Sequence, residues 1–413
     1  MPTNAQTSLP PLWLQKSTIA LLLVATLKIM ANATISPALP GLEDIFSDNA
    51  QAAYLTRFLV AAPSLTVVLI APIAGVVADR FGRAPILVAG VVLFALSGSA
   101  GAYLPDLTSV LVSRLILGVA VALTMTAQIA LVGDLFEGNR RSAFMGLQTA
   151  AINFSGFLYI GFAGFLAGYS PRWPFLIYAL PFLLLPLLLP LLHRERLDAA
   201  NRELPVEGLN ATTEGNWFLR ASALSVLTMA TVMLFFLMPS QLPFFLTENG
   251  LDGASGTAYG LGALTLTGGC VAVVFKRISG VMGLCATFSI GFALMGTGFA
   301  TLSLDASWPT VLGGAVQIGA GYALVQPALF LVALNVAPQS KRGRVSGMVT
   351  TAMFLGQVIS PLLLTPLLQG FGFGLVFLLS SIALFAFAFT ALCILVFQAI
   401  ALRISLRPQP DRQ

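Results

Sequence analysis

Two basic residues stand inside apolar stretches that are long enough to cross a membrane. Lys28 lies within "LLLVATLKIMANATISPALP", and Arg114 lies within "LVSRLILGVAVALTMTAQIALVG". A charged side chain at the centre of a membrane helix costs about 2.5–3.5 kcal/mol on insertion scales, so it normally faces water or a partner. An ammonium or guanidinium group placed there can bind a carboxylate or phosphate, and a lysine can also exchange a proton.

Acidic residues avoid the middle of these stretches. Asp134 and Glu43 stand at their ends, and the other acids lie between them or in the tails. Arg57 is a third base, about one turn inside the end of another stretch. A cavity lined by Lys28 and Arg114 would disfavour lipophilic cations and favour anions or zwitterions.

The sequence contains few side-chain arrangements that could catalyse a reaction. The one histidine, His193, falls at the end of an apolar stretch, and no nucleophile stands beside a base. Cys270, Cys285 and Cys393 are scattered and show no metal-ligand spacing. We therefore expect no enzyme activity, no catalytic residue, no metal site and no cofactor.

The elements that position the buried bases are membrane helices. The composition, 57% hydrophobic and 9% charged, is far more apolar than that of a soluble domain. A helix needs about 20 apolar residues to cross the hydrocarbon core, and the runs are continuous rather than alternating. Twelve spans are predicted, at residues 17–39, 53–77, 84–104, 107–133, 142–168, 173–193, 221–246, 255–275, 280–303, 307–336, 344–369 and 372–402.

The basic residues also predict the orientation of the chain. Most of the 21 lysines and arginines fall at the termini or in the even-numbered loops, while the odd-numbered loops carry acids. By the positive-inside rule both termini are cytoplasmic, and the net charge of +5 describes topology rather than nucleic-acid binding. The first helix is expected to remain uncleaved, because no basic segment or small-residue cleavage site accompanies it.

The spans fall into two groups of six. The polar segment from His193 to Trp217 is the one plausible linker, which predicts domains at 1–193 and 221–413 joined by 194–220. Gly118 precedes Gly146, with a basic cluster just before the second glycine, and Gly319 precedes Gly347 at the same spacing and with the same kind of cluster. The fold is therefore predicted to be all-α, with 12 transmembrane helices in two pseudo-symmetric six-helix bundles.

The loop between spans 2 and 3, "GVVADRFGRAP", resembles the G-x-x-x-D-R-x-G-R motif of the major facilitator superfamily. The resemblance covers nearly the whole chain and implies the major facilitator fold, with two halves around a midplane site that is reached by alternating access. It also implies a conformational latch for the outward-facing state, built from Gly75, Asp79, Arg80, Gly82 and Arg83. The alternative is a solvated loop that only enforces topology.

Span 4 is similar to the corresponding span of proton-coupled exporters in this superfamily. Arg114, Gly118 and Ala122 match the motif, whereas Leu117 replaces an expected glutamine. Span 5 keeps the glycines but has Tyr159 and Ile160 where drug/proton antiporters carry Gly-Pro. The antiporter branch is therefore matched in part.

In the superfamily spans 1, 4, 7 and 10 line the cavity, which implies a positive wall in the first half. Ala230, the counterpart of Lys28 suggested by the proline-containing motifs of spans 1 and 7, is neutral. Each polar candidate around the cavity is also explained by an interhelical hydrogen bond. The predicted substrate-binding residues are Lys28, Asn32, Arg114, Gln128, Asn153, Gln241, Gln326 and Gln357, with Gln148 and Gln317 as further polar candidates.

The sequence thus predicts a secondary active transporter of the bacterial inner membrane that exports a small amphiphilic anion or zwitterion. Proton coupling would run through Arg114, Asp134 and Glu43, or through a lysine that gives up its proton. Alternatives are an organic-anion importer, a flippase for lipid-linked head groups, or a transport-inactive assembly or sensor protein. The expected partners are the substrate, protons and lipid, and the expected state is a monomer.

Overall fold

A computed structural model describes residues 15–136, 138–198, 217–336, 338 and 341–405. Helix is the dominant structure, and the described part of the chain contains no strand. Most of the predicted linker 194–220 lies outside these residues, as does the segment that precedes Gln15. The helices are α1 (Lys16–Ala33), α2 (Leu39–Ile45), α3 (Ala52–Leu59), α4 (Ala62–Phe81), α5 (Arg83–Ser99), α6 (Leu107–Leu135), α7 (Gly138–Ala167), α8 (Leu185–Asp198), α9 (Trp217–Phe235), α10 (Leu237–Glu248), α11 (Gly253–Met282), α12 (Leu284–Leu304), α13 (Trp308–Val336) and α14 (Arg342–Ser405).

Ten stretches of the described residues are helical, long and apolar enough to cross a membrane. An eleventh is formed by Ala52–Leu59 and Ala62–Ala78, which meet at a 50° bend. The longest stretch, Arg344–Leu395, counts once, but its backbone leaves the helical region at Gly372 (φ 79°, ψ 167°) and so holds two spans. The predicted all-α fold with 12 transmembrane helices is confirmed.

Spans 1 and 7 are each broken near one end. In span 1, α1 ends at Ala33, and a 3₁₀ segment at Ser36–Ala38 leads into α2. In span 7, α9 ends at Phe235 and α10 starts at Leu237. Pro37 and Pro239 stand just past these breaks, where they cannot donate the backbone hydrogen bond that a continuous helix needs. The breaks free backbone carbonyl groups for side-chain donors.

The described helices form two compact units, Met1–Gly208 and Leu209–Gln413. In the first unit α6 packs against α4 and α5, and α1 packs against α7. In the second unit α13 packs against α11 and α12, and α9 packs against α14. The second set of contacts repeats the first in the same order along the chain. The domain bounds 1–193 and 221–413 stay predictions.

Backbone conformation also repeats, at equivalent turns of the two units. Gly82, between α4 and α5, has φ 95° and ψ 145°, and Gly283, between α11 and α12, has φ 79° and ψ 164°. Side chains with a Cβ rarely adopt such positive φ angles, so both turns depend on glycine. The second loop has lost the acid of the first, since Gly280 stands where the first has Asp79.

The first glycine of each repeat packs against backbone, and the second does not. A Cβ on Gly118 would lie 2.2 Å from the Pro63 carbonyl oxygen, and a Cβ on Gly319 would lie 2.3 Å from the Leu264 carbonyl oxygen. Gly146 and Gly347 have open space at the same place. Glycine at 118 and 319 therefore lets α6 approach α4, and α13 approach α11, more closely than any other residue would allow.

Candidate functional site in the N-terminal unit

Arg114 is fully buried in α6 and binds the broken end of span 1. Its Nη2 donates to the Ala31 carbonyl oxygen at 2.6 Å and to the Tyr178 hydroxyl at 3.0 Å. The guanidinium carbon also lies 4.7 Å from the centre of the Tyr178 ring and 5.9 Å from that of Phe175. One cation thus ties α1, α6 and the 3₁₀ segment Trp173–Leu184 together.

The charge of Arg114 is compensated by dipoles and rings. Among the described residues it makes no salt bridge, and its Nε and Nη1 have no hydrogen-bond partner. The hydroxyls of Thr34 and Ser36, in the broken part of span 1, are also buried, and neither has a partner in the part of the chain that the structure describes. Buried polar groups without partners are costly, and in native proteins they mark sites that need a functional or solvent explanation.

Tyr178 and Phe175 are site residues that the sequence did not single out. Both are fully buried, and each packs on a glycine at or just after the end of α5. A Cβ on Gly98 would meet the Tyr178 side chain at 2.6 Å, and one on Gly101 would meet the Phe175 ring at 2.1 Å. A signal was present in "WPFLIYALPFLL", since a tyrosine in a membrane span needs a partner for its hydroxyl group.

Lys28 is partly exposed and lies in the middle of α1. Asn32, one turn further along the same face, donates to the Ser64 hydroxyl of α4 at 3.4 Å. Thr26 shares a hydrogen bond of 3.0 Å with the hydroxyl of Tyr159, the residue that stands where Gly-Pro was expected on span 5. Side chains on both sides of Lys28 in sequence therefore hold α1 against its neighbours.

In the C-terminal unit, the repeat position that is equivalent to Lys28 holds an apolar residue. A Cβ on Gly356 of α14 would lie 2.5 Å from the Met229 carbonyl oxygen of α9. The offset that relates Gly118 to Gly319 also relates Lys28 to Met229, one residue before the Ala230 that the proline motifs suggested. Either residue leaves this position of span 7 uncharged.

Most of the predicted amide side chains make hydrogen bonds within their own unit. Gln128 donates to Gln148 at 3.0 Å, and Asn153 donates to a carbonyl of its own helix. Gln241 donates to Thr365 at 2.9 Å. Interhelical bonding therefore accounts for Gln128 and Gln241, whose side chains are buried.

Spans 10 and 11 show a different pattern in the C-terminal unit. Gln326 donates to the Met353 sulfur at 2.9 Å, while its Oε1, like that of Gln317, has no partner among the described residues. Gln357 is buried and has polar contacts. Tyr322 stacks on Phe235 with ring centres 3.7 Å apart. Gln326 keeps free acceptor capacity one turn from this aromatic pair.

The loop motif forms an ion pair with the end of span 4. Arg83, the first residue of α5, makes a salt bridge to Asp134 and donates to the Ala130 carbonyl oxygen at 3.3 Å. Arg80 is exposed, and a Cβ placed on Gly75 would lie 3.8 Å from the Thr126 methyl group. The Asp79 side chain lies outside the described residues. Asp134 thus pairs with Arg83 of the predicted latch.

Glu43 pairs with Arg57 at the opposite end of the unit. The Arg57 Nη1 lies 3.4 Å from the Glu43 Oε2 and 2.5 Å from the Ala53 carbonyl oxygen. Arg57 is almost fully buried, which strengthens this interaction relative to a solvated pair. The third base at an apolar stretch is therefore part of an ion pair, unlike Arg114.

Comparison with known proteins identifies the same superfamily as the loop motif. The sequence profile of the Major Facilitator Superfamily matches residues 21–361. Multidrug resistance protein 2 of Bacillus subtilis is 27% identical over 74% of this chain and 78% of that protein. Multidrug resistance protein 1 of the same organism is 24% identical over 85% of this chain and 90% of that protein.

Solved structures show the same fold at lower sequence identity. A POT family transporter, crystallised in complex with 5-aminolevulinic acid, superposes with a TM-score of 0.73 over 92% of this chain and 96% of that one, at 14% identity. At that identity the likeness concerns the fold alone. The chain belongs to the Major Facilitator Superfamily of membrane transporters.

Proposed function

We propose that this transporter exports a small amphiphilic organic solute that carries a carboxylate or phosphate, and that protons drive it by alternating access. The observation that carries the proposal is Lys28, a partly exposed cation at the middle of span 1. Counted from Ile19 to Ala38, Lys28 is central in the span and too deep for its side chain to reach either surface easily. An ammonium group at that depth favours an anionic ligand.

In this proposal Lys28 and Arg114 have different roles. Lys28 binds the anionic group, with Asn32 beside it, and releases it when the lysine loses its proton. Arg114 is enclosed by protein, so it acts on span 1 through the Ala31 carbonyl rather than on the solute. A proton or solute that changes the position of α1 would therefore change the surroundings of Arg114. In this way Arg114 would couple proton binding to solute binding.

The ion pairs at the two ends of the unit limit other proton routes. Asp134 forms an ion pair with Arg83, and Glu43 forms an ion pair with Arg57. We assign Arg83 and Asp134, together with Gly75, Asp79, Arg80 and Gly82, to the conformational latch. Coupling through Glu43 would require breaking its pair with Arg57.

The direction of transport rests on the relatives. The two Bacillus proteins are named for multidrug resistance, which supports export for this chain. Import of an organic anion or flipping of a lipid-linked head group would use the same cation. A transport-inactive role is disfavoured, because a lysine kept at membrane depth without use only reduces stability.

The test is flux into proteoliposomes with Lys28 altered. A panel of organic anions, zwitterions and cations is supplied with a proton gradient of either direction. Lys28→Ala and Lys28→Gln should reduce transport of the active solute by roughly tenfold or more with unchanged protein yield, while Lys28→Arg keeps part of it. Lys276→Ala, at an exposed lysine of the C-terminal unit, is the matched control and should transport normally.

Four outcomes would contradict parts of the proposal. Normal flux in Lys28→Ala, with only a lower melting temperature, makes the lysine structural. Flux of cations but not anions excludes the proposed substrate class. A rate that is unchanged when the proton gradient is collapsed excludes proton coupling, and absence of gradient-dependent flux for every solute favours the transport-inactive alternative.

A further inference from the structure

A cavity lies at one end of the C-terminal unit. Its volume is about 320 Å³, near the lower end of the range for small-molecule sites. Three chain segments line it: the end of α10, the connection between α12 and α13, and the start of span 12 after Gly372. By the charge pattern this is the outer end of the unit.

The floor of the cavity is aromatic. Phe245 and Phe373 are buried below it with ring centres 5.4 Å apart, and both rings contact Phe377, at 5.2 Å and 5.8 Å. Leu302 completes this floor and is also buried. Packing with neighbouring rings fixes the two aromatic residues, so the floor is formed before any ligand binds.

The rim of the cavity carries two carboxylates, Glu248 and Asp305. Glu248 is exposed and makes no hydrogen bond or ion pair with the described residues. Hydrogen bonding from Thr310, and then from Ser307, holds the pKa of Asp305 below its ordinary value, so this carboxyl stays charged at neutral pH. None of the ten lining residues is basic.

We propose that this cavity binds an organic ammonium group. Aromatic faces next to carboxylates attract such cations, because both the ring quadrupole and the charge act in the same direction. A divalent metal ion would need six to eight oxygen ligands for calcium, or an octahedral set for magnesium, and an aromatic floor provides none. An anion would be repelled by both carboxylates. The site is separate from the proposed transport site and does not rest on it.

The test is calorimetry on the full chain in maltoside detergent, with choline as the probe. Its neutral isostere, 3,3-dimethylbutan-1-ol, measures binding to the apolar floor alone. Choline should bind saturably and at least several-fold more tightly than the isostere. Glu248→Gln should weaken choline binding roughly five- to tenfold, and Phe373→Leu, which keeps the apolar volume but removes the ring, should weaken it several-fold.

The matched control is Asp252→Asn, an acid at the same end of the unit that does not line the cavity. Asp252 caps α11 by accepting from the amides of Ala254 and Ser255, and asparagine is an equally good cap. This variant should bind choline like the unaltered protein. Equal losses in Glu248→Gln and Asp252→Asn would indicate a general negative field and overturn the site.

Further arms identify the source of the ammonium group. In nanodiscs, phosphatidylethanolamine in place of phosphatidylglycerol should weaken the apparent affinity for choline if lipid head groups occupy the cavity, and leave it unchanged if the ligand is a free solute. Both results keep an ammonium site. Equal binding of choline and the isostere, absence of saturable binding, or displacement of choline by calcium at lower concentration would each overturn it.

Discussion

Arg114 is a buried cation inside a membrane helix, and it has no acidic partner among the described residues. The guanidinium group distributes its charge over a carbonyl, a hydroxyl and two aromatic faces, each of which is weaker than a carboxylate. The stabilisation of the Arg114 charge is sensitive to small movements of α1, because the hydrogen bond to the Ala31 carbonyl oxygen depends on the position of the break in span 1. Tyr178 is the residue whose removal tests this arrangement with least disturbance.

Tyr178→Phe should keep the ring packing and lose one hydrogen bond to the cation. Hydrogen bonds to charged groups contribute about 1.5–3 kcal/mol to stability, so the melting temperature should fall by several degrees. Transport should also slow, because Arg114 would hold Ala31 less firmly. Tyr169→Phe, at an exposed ring of the same unit, is the control and should change neither quantity. Normal stability and flux in Tyr178→Phe would show that the hydroxyl does not position Arg114.

At the scale of helices, the first glycine of each repeat lets two helices approach closely. Gly118 lets α6 contact α4, and Gly319 lets α13 contact α11, with equivalent geometry in the two units. In both cases the nearest atom is a backbone oxygen, which cannot rotate away as a side chain can. The helices would have to separate to accept even a methyl group.

Gly118→Ala and Gly319→Ala should therefore each destabilise the protein by roughly 1–3 kcal/mol or more, the range for overpacking in a closely packed interior. Gly146→Ala and Gly347→Ala have open space and should be neutral or slightly stabilising, since alanine favours helix. Thermal unfolding of the four variants in one detergent is the measurement. Equal effects at the first and second glycines would mean that the close approach is relieved at little cost.

At the scale of the molecule, the N-terminal unit has different ion pairs at its two ends. Arg83 and Asp134 connect α5 to the end of α6, and Glu43 and Arg57 connect α2 to α3. The C-terminal unit lacks the acid at the position of Asp79 and carries Leu284 at the position of Arg83. A latch of this kind can therefore form from the loop motif of the first unit.

Asp134→Asn should preserve yield and insertion but slow transport at least several-fold, because Arg83 would lose its charged partner in the latched state. Asp79→Asn should have the same effect if the motif acts as one unit. Asp48→Asn, at an exposed acid of the loop between α2 and α3, is the control. The measurement is solute flux at equal protein level, and unaltered flux in both latch variants would reduce the motif to a determinant of topology.

The sequence by itself determined the class of the protein, the number of spans and the division into repeated halves. These features depend on local properties: the length of apolar runs, the placement of bases, and glycine and proline at fixed positions. It also located Lys28 at mid-span, since depth follows from counting residues along a helix.

Only the tertiary structure decided which side chains act together. Arg114 meets Ala31 and Tyr178, which are 83 and 64 residues away in the chain, and the first glycine of each repeat differs from the second only in what packs against it. The aromatic floor and acidic rim of the cavity in the C-terminal unit come from three separate segments. Contacts of this kind depend on how helices pack, and helix packing depends on side-chain shape summed over many distant pairs, which no local pattern in the sequence specifies.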